Sequence, residues 1–166
     1  AGEGVRELIL VAQDPTAYGE DWGKPGAICE LLDRLQEIEG IRWIRILYAY
    51  PERISDAFIA AMVRNTKVVP YLDLPIQHCD DAVLKAMNRR GGRKEIEDAI
   101  ARLRAAIPGI TLRTNSAHAA SAAAIVSGAR RSSSAIIPAS KIRIFVPAFP
   151  GKGYAAVDKF HSGRYN

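Results

Sequence analysis

The sequence predicts an α/β protein built on parallel strands, on three observations. Across residues 5–114, short apolar runs alternate with stretches of helical spacing. The short runs are apolar at nearly every position, as strands covered on both faces are. Their carboxyl ends then break into polar and aromatic residues: Gln13-Asp14, Tyr48-Ala49-Tyr50-Pro51, Pro75-Ile76-Gln77-His78 and Arg113-Thr114. Parallel α/β folds bind ligands at such ends.

Glu7 to Gln13 reads as the first strand, followed by a loop over 14–25 with Pro15, Gly19, Gly23 and Pro25. Ile28, Leu31, Leu32, Leu35 and Ile38 fall at helical spacing, with Gly40 as the stop. Arg42 to Tyr48 is a second strand, ended by Pro51. Ser55 is placed to cap a helix whose apolar face is Phe58, Ile59, Met62 and Val63. Val68 to Leu74 is a third strand, with Pro70 as a local conflict. Asp80 caps a helix containing Val83, Leu84 and Met87. After Arg89-Arg90-Gly91-Gly92, a further helix carries Ile96, Ile100, Leu103 and Ile107 on one face. Pro108-Gly109 ends that helix, and Ile110 to Thr114 is the fourth strand. Four such units are half of an eight-stranded barrel or a small doubly wound sheet, and periodicity alone does not choose.

The chain divides in two by charge and composition. Residues 1–114 hold 16 basic and 17 acidic residues; residues 115–166 hold seven basic residues and one acid, Asp158. From 115 to 140, 16 of 26 residues are Ala or Ser, and periodicity is weak. Lys141 to Val146 is the one stretch there that reads as a strand. The expected division is therefore an α/β unit over 1–114 and an irregular, basic, Ala/Ser-rich tail over 115–166 that is frameshifted or disordered. The tail's charge leaves a nucleic-acid contact open, whereas residues 1–114 give no indication of one. The chain begins Ala1-Gly2-Glu3-Gly4 without methionine, as a trimmed chain or one starting mid-domain would. No apolar run approaches the ~20 residues of a membrane span, so no membrane partner is expected.

The polar residues have plain structural readings beside functional ones. Cys29 and Cys79 lie 50 positions apart, which is not metal-ligand spacing, so free buried thiols in a reducing cytoplasm are expected. His78 has no second histidine at metal spacing, and a hydrogen-bonding loop role is expected of it. Asp80-Asp81 stand at a helix start, where capping outweighs acid–base work. Arg89, Arg90, Arg93 and Lys94 form a basic cluster, read as a solvated turn against a contact to phosphate. No phosphate-loop or dinucleotide glycine motif is present. No metal site is expected in this chain.

Taken in order, the segments resemble a known family. Gly4 to Asp14 followed by Thr16-Ala17-Tyr18-Gly19, and Ile44-Arg45-Ile46-Leu47-Tyr48-Ala49-Tyr50-Pro51, are similar to consecutive barrel strands of RimO-type radical S-adenosylmethionine (SAM) methylthiotransferases. Tyr71 to His78 with Val83 to Arg89, and Ile110 to Thr114, look like the next two. The tRNA-modifying MiaB-like relatives usually show Gly-Gln-Asn at Ala12-Gln13-Asp14. They usually show Pro-Val-Gln-Ser-Gly at Pro75-Ile76-Gln77-His78-Cys79, so the RimO type fits better at two places.

The resemblance implies a partial (β/α) barrel of radical SAM type and a methylthiotransferase acting on an aspartate of a small-subunit ribosomal protein. It implies SAM and [4Fe–4S] clusters as cofactors. A cluster-bound SAM would yield a 5′-deoxyadenosyl radical, and the protein would position and shield it. By position, Gln13, Tyr50, Gln77 and Arg113 would face the SAM side; no catalytic residue is assigned. The family's Cys-x-x-x-Cys-x-x-Cys motif has no counterpart here, and two distant cysteines cannot hold a cluster. The chain is thus expected to be inactive alone. Where the family continues Phe-Ile-Val-Gly-Phe-Pro-Gly, this chain reads Asn115-Ser116-Ala117-His118, which prompts the expectation of a frameshift or foreign junction. The alternatives are a MiaB-like fragment and a non-catalytic α/β module contacting the ribosome or RNA.

Overall fold

The computed structural model describes residues 1–114 together with the backbone of two further strands, 143–146 and 155–157. The strands of the first part are β1 (Glu7–Val11), β2 (Trp43–Leu47), β3 (Val68–Asp73) and β4 (Thr111–Arg113). The helices between them are α1 (Ala27–Gln36), α2 (Asp56–Arg64), α3 (Asp81–Ala86) and α4 (Arg93–Ala106). The expected order of strand, helix, strand, helix, strand, two helices and strand is the observed order.

β1 pairs with β2, β2 with β3 and β3 with β4, all in parallel. Within β1–β4, neighbours in the sheet are thus neighbours in sequence, with no reversal of strand order. A doubly wound sheet reverses its order and carries helices on both faces; an arc of a (β/α) barrel does neither. The core agrees with the arc. Leu8, Leu10, Ile44, Ile46, Leu72 and Leu112 share one buried cluster with Ile28 and Leu32 of α1, Phe58 and Met62 of α2, Leu84 of α3, and Ile96, Ile100 and Leu103 of α4. All four helices therefore cover one face of the sheet. Burying these aliphatic side chains stabilises the fold by roughly 1.5–3 kcal/mol each, before the entropy cost of ordering the chain.

The helix starts follow the sequence. The Ser55 hydroxyl accepts from Phe58 N–H at 3.1 Å, and the Asp80 carboxylate accepts from Val83 N–H at 3.0 Å. Asp81 differs: it accepts from Arg93 N–H at 2.7 Å, so it caps α4 rather than its own helix. Some expected core positions point outward. Val63, within α2 but off its buried face, is 52% exposed, and Met87, past the end of α3, is 46% exposed. Pro70 is accommodated by an irregularity: Ile44 pairs with Val68 and Ile46 with Leu72, so β3 carries extra residues across the stretch where proline offers no N–H.

Within the expected run 141–146, Arg143–Val146 forms β5, which pairs antiparallel with the outer edge of β1. A further strand that the sequence did not suggest, β6 (Ala155–Val157), pairs antiparallel with β5. The outer edge of β1 is therefore covered. The other expectations for the Ala/Ser-rich basic tail, frameshift and disorder included, lie outside the described residues.

Candidate functional site

Helices on one face leave the other face of β1–β4 as an inner wall. Side chains alternate across a strand, so Glu7, Arg45, Tyr71, Asp73 and Arg113 lie on this wall, opposite the apolar cluster. They form a connected row. Arg45 Nε lies 2.7 Å from Glu7 Oε1, and its guanidinium sits 5.2 Å from the centre of the Tyr71 ring. The Tyr71 hydroxyl donates to Asp73 Oδ1 at 3.0 Å. Arg113 Nη1 donates to both Asp73 oxygens, at 2.9 and 2.8 Å. Burial, then the adjacent Asp73 carboxylate, pushes the Tyr71 pKa up to about 12. Burial opposes the charge on Arg113, yet the bonds to Asp73 outweigh it and its pKa rises.

The carboxyl ends of the strands are stitched into one rim. Ala49 N–H donates to Asp73 O at 2.9 Å, and Leu74 N–H to Arg113 O at 2.7 Å. Ile76 N–H donates to Thr114 Oγ1 at 3.3 Å. Gln13, Tyr50, Gln77 and Arg113 stand along this rim, one on each of four consecutive strand ends, and all are half-buried. Gln77 has φ 62° and Tyr48 φ 65°, the left-handed region, where a residue with a bulky side chain is held only by its surroundings. Arg89 stacks over the Tyr50 ring at 4.4 Å from its centre and stands 3.8 Å from Glu52. It thus ties the end of α3 to the loop after β2. Arg113 is engaged with Asp73 rather than with the other three.

Other sequence readings find their places nearby. His78 Nδ1 accepts from Asp80 N–H at 3.0 Å, the loop role expected of it. Arg89 is not part of a solvated turn, whereas Arg93 and Lys94 pair with Glu97 and Asp98 on the exposed face of α4. Asp14 is buried and accepts from Thr16 N–H at 3.1 Å and from the Thr16 hydroxyl. Arg53 Nε faces Asp14 at 2.7 Å, and its Nη2 pairs with Glu20. Burial raises the Asp14 pKa, against the lowering by Thr16 and Arg53. Beside this network a 310 Å³ cavity opens, lined by Thr16, Glu20, Cys29, Glu52 and Arg53 among others; none of the four rim residues lines it.

Of the row, Arg113 was named from the sequence, whereas Glu7, Arg45, Tyr71 and Asp73 were missed by sequence reading. Their signal was alternation within β1–β4, hidden because the strands were read as covered on both faces. For cofactors the outcome divides. The rim offers two amides, an aromatic ring and a guanidinium, which fit a polar nucleoside ligand. An iron–sulfur cluster does not fit: Cys79 is buried and Cys29 half-buried on α1, and burial raises the pKa of both thiols. No group of three or more His, Cys, Asp or Glu able to hold a metal occurs among the described residues.

Comparison with known proteins finds relatives for residues 1–115. The model of the radical SAM superfamily matches residues 1–115. The chain is 54% identical over 115 residues to the ribosomal protein uS12 methylthiotransferase RimO of Clostridium botulinum, covering 69% of this chain and 26% of that protein. It is 53% identical over 112 residues to the enzyme of the same name from Trichlorobacter lovleyi, covering 68% and 25%. For that from Caldanaerobacter subterraneus the figure is 47% over 114 residues, covering 69% and 26%. The chain thus spans about a quarter of the length of these curated relatives.

Proposed function

The chain belongs to the radical SAM superfamily, and from that premise we propose that residues 1–114 are the SAM-facing arc of a methylthiotransferase barrel acting on ribosomal protein uS12. The observation that carries the reading is the rim itself: four consecutive parallel strand ends, stitched together, each bearing one of Gln13, Tyr50, Gln77 and Arg113. The carbon that receives the methylthio group is taken to be that of an aspartate, and the work is done in the cytoplasm, where ribosomal proteins are handled.

Bound SAM supplies the radical and methyl chemistry. What these residues contribute is binding and order. The Gln13 and Gln77 amides offer paired donors and acceptors to a nucleoside. Tyr50, with one ring face covered by Arg89, offers its other face for stacking. Asp73 holds Arg113 in one orientation, so its charge is presented without a reorganisation cost. The strained backbone at Gln77 fixes the direction of that side chain.

Because no cluster-binding set is present in the chain, it is proposed to lack methylthiotransferase activity alone. Isothermal titration of the chain with SAM tests the site. Gln13→Ala and Gln77→Ala should each weaken binding by about tenfold, roughly 1.4 kcal/mol. Unchanged affinity in both variants would remove the rim as the binding site.

A further inference from the structure

Arg89 is brought to the rim by a turn that the chain constrains at three points. α3 is followed by a residue in the left-handed region, Asn88, at φ 56°. Asn88 N–H donates to Lys85 O at 3.0 Å and Arg89 N–H to Leu84 O at 2.9 Å, the paired bonds that reverse a chain at a helix end. Gly91 lets the turn lie against the segment after β2: a Cβ there would stand 3.0 Å from Glu52 Cβ and 3.4 Å from Glu95 Cβ. Gly92 lets it lie against Asp81, whose carboxylate caps α4; a Cβ there would stand 2.7 Å from Asp81 Oδ1. Between these points Arg90 is exposed, whereas the Arg89 side chain is only 20% exposed.

Two groups receive that side chain. Its guanidinium lies 4.4 Å from the centre of the Tyr50 ring, and Nη1 stands 3.8 Å from Glu52 Oε1. The backbone of Tyr50 is held independently, in extended conformation before the buried Pro51. What remains for Arg89 to fix is the ring's own rotation. A cation on one face draws the electron density of the ring toward itself, so the other face suits a neutral planar base better than a second cation. SAM carries both, an adenine and a sulfonium. We propose that Arg89 is a positioning residue for SAM: acting through Tyr50, it holds the ring so that its other face stacks on the adenine and not against the sulfonium. This role rests on the reading that the rim receives SAM, and it names the part of the ligand that Tyr50 takes.

A double-mutant cycle on the full 166-residue chain separates positioning through the ring from a merely structural role. SAM and adenosine are titrated by calorimetry into the parent, Arg89→Ala, Tyr50→Leu and doubly substituted chains, at unchanged circular dichroism. Arg89→Ala should weaken both ligands by about fivefold, the scale of a cation–π contact. Tyr50→Leu should weaken both by about tenfold, the scale of base stacking, and the double variant should bind as Tyr50→Leu does. Equal weakening by Arg89→Ala with and without the ring overturns the proposal, because Arg89 then acts independently of Tyr50. Unchanged affinity in Arg89→Ala also overturns it, as does weakening of SAM with adenosine unaffected. In these three results the parent still binds SAM, and the rim reading stands on Gln13→Ala and Gln77→Ala. No SAM binding by the parent removes the rim reading and the role of Arg89 together. A readout that needs neither ligand nor an Arg89 variant is the proton spectrum of the Arg89 side chain. Its Cδ protons should be shifted upfield by the Tyr50 ring and should lose that shift in Tyr50→Leu; no such shift in the parent overturns the contact.

Discussion

Asp73 on β3 and Arg113 on β4 are register partners, and one guanidinium nitrogen of Arg113 bonds both oxygens of the Asp73 carboxylate. The carboxylate is 3% exposed, and its other neighbour is the Tyr71 hydroxyl. Removing the charge while keeping the shape leaves Arg113 on the inner wall without its counterion. Asp73→Asn should therefore cost about 1–3 kcal/mol in urea unfolding, below the cost of breaking a fully buried pair because Arg113 keeps some contact with water. A midpoint within experimental error of the parent would mean that the pair does not hold the wall together.

Tyr71 gives a pH signature. Its pKa is pushed from 10.0 to about 12, first by burial and then by Asp73. The folded state thus keeps the phenol proton more tightly than the unfolded chain. This group's contribution to stability is complete below pH 10 and is lost as pH rises through about 12. Ultraviolet titration of tyrosinate should show Tyr71 as the latest phase, after Tyr18, whose pKa burial also raises, and Tyr71→Phe should abolish that latest phase. A parent chain with no late phase would show that the Tyr71–Asp73 contact does not persist in solution.

The parallel order of the strands was legible because apolar runs and helical spacings alternate cleanly, and the caps at Ser55 and Asp80 because short oxygen-bearing side chains stand directly before apolar helical runs. The inner wall was not legible. A barrel wall and a strand buried on both faces look alike until the helices are seen to share one side, as the cluster from Leu10 to Leu103 shows. Only then do Glu7, Arg45, Tyr71 and Asp73 separate from their apolar neighbours. Arg89 escaped for a different reason: its contact with Tyr50 crosses 39 positions, and no local pattern encodes it. The position of β5 against β1 is also a long-range pairing, which spacing within 141–146 does not specify.

Iron–sulfur reconstitution addresses the cofactor division. A [4Fe–4S] cluster needs three or four protein thiolates, and this chain offers Cys29 and Cys79, the first on α1 and the second just past β3. Anaerobic reconstitution followed by desalting should leave well under one cluster per chain by iron and sulfide analysis. One stoichiometric cluster, lost in a Cys29→Ser or Cys79→Ser variant, would contradict the ligand count.

The central claim is that the stitched strand ends receive SAM, and heteronuclear NMR of the labelled chain during SAM titration reads it residue by residue even when binding is weak. The expected result is saturable shifts at Gln13, Tyr50, Gln77 and Arg113, with the helix-covered positions Leu32 and Ile100 unmoved. Shifts confined to the helix side of the sheet, or none at saturating ligand, would contradict it.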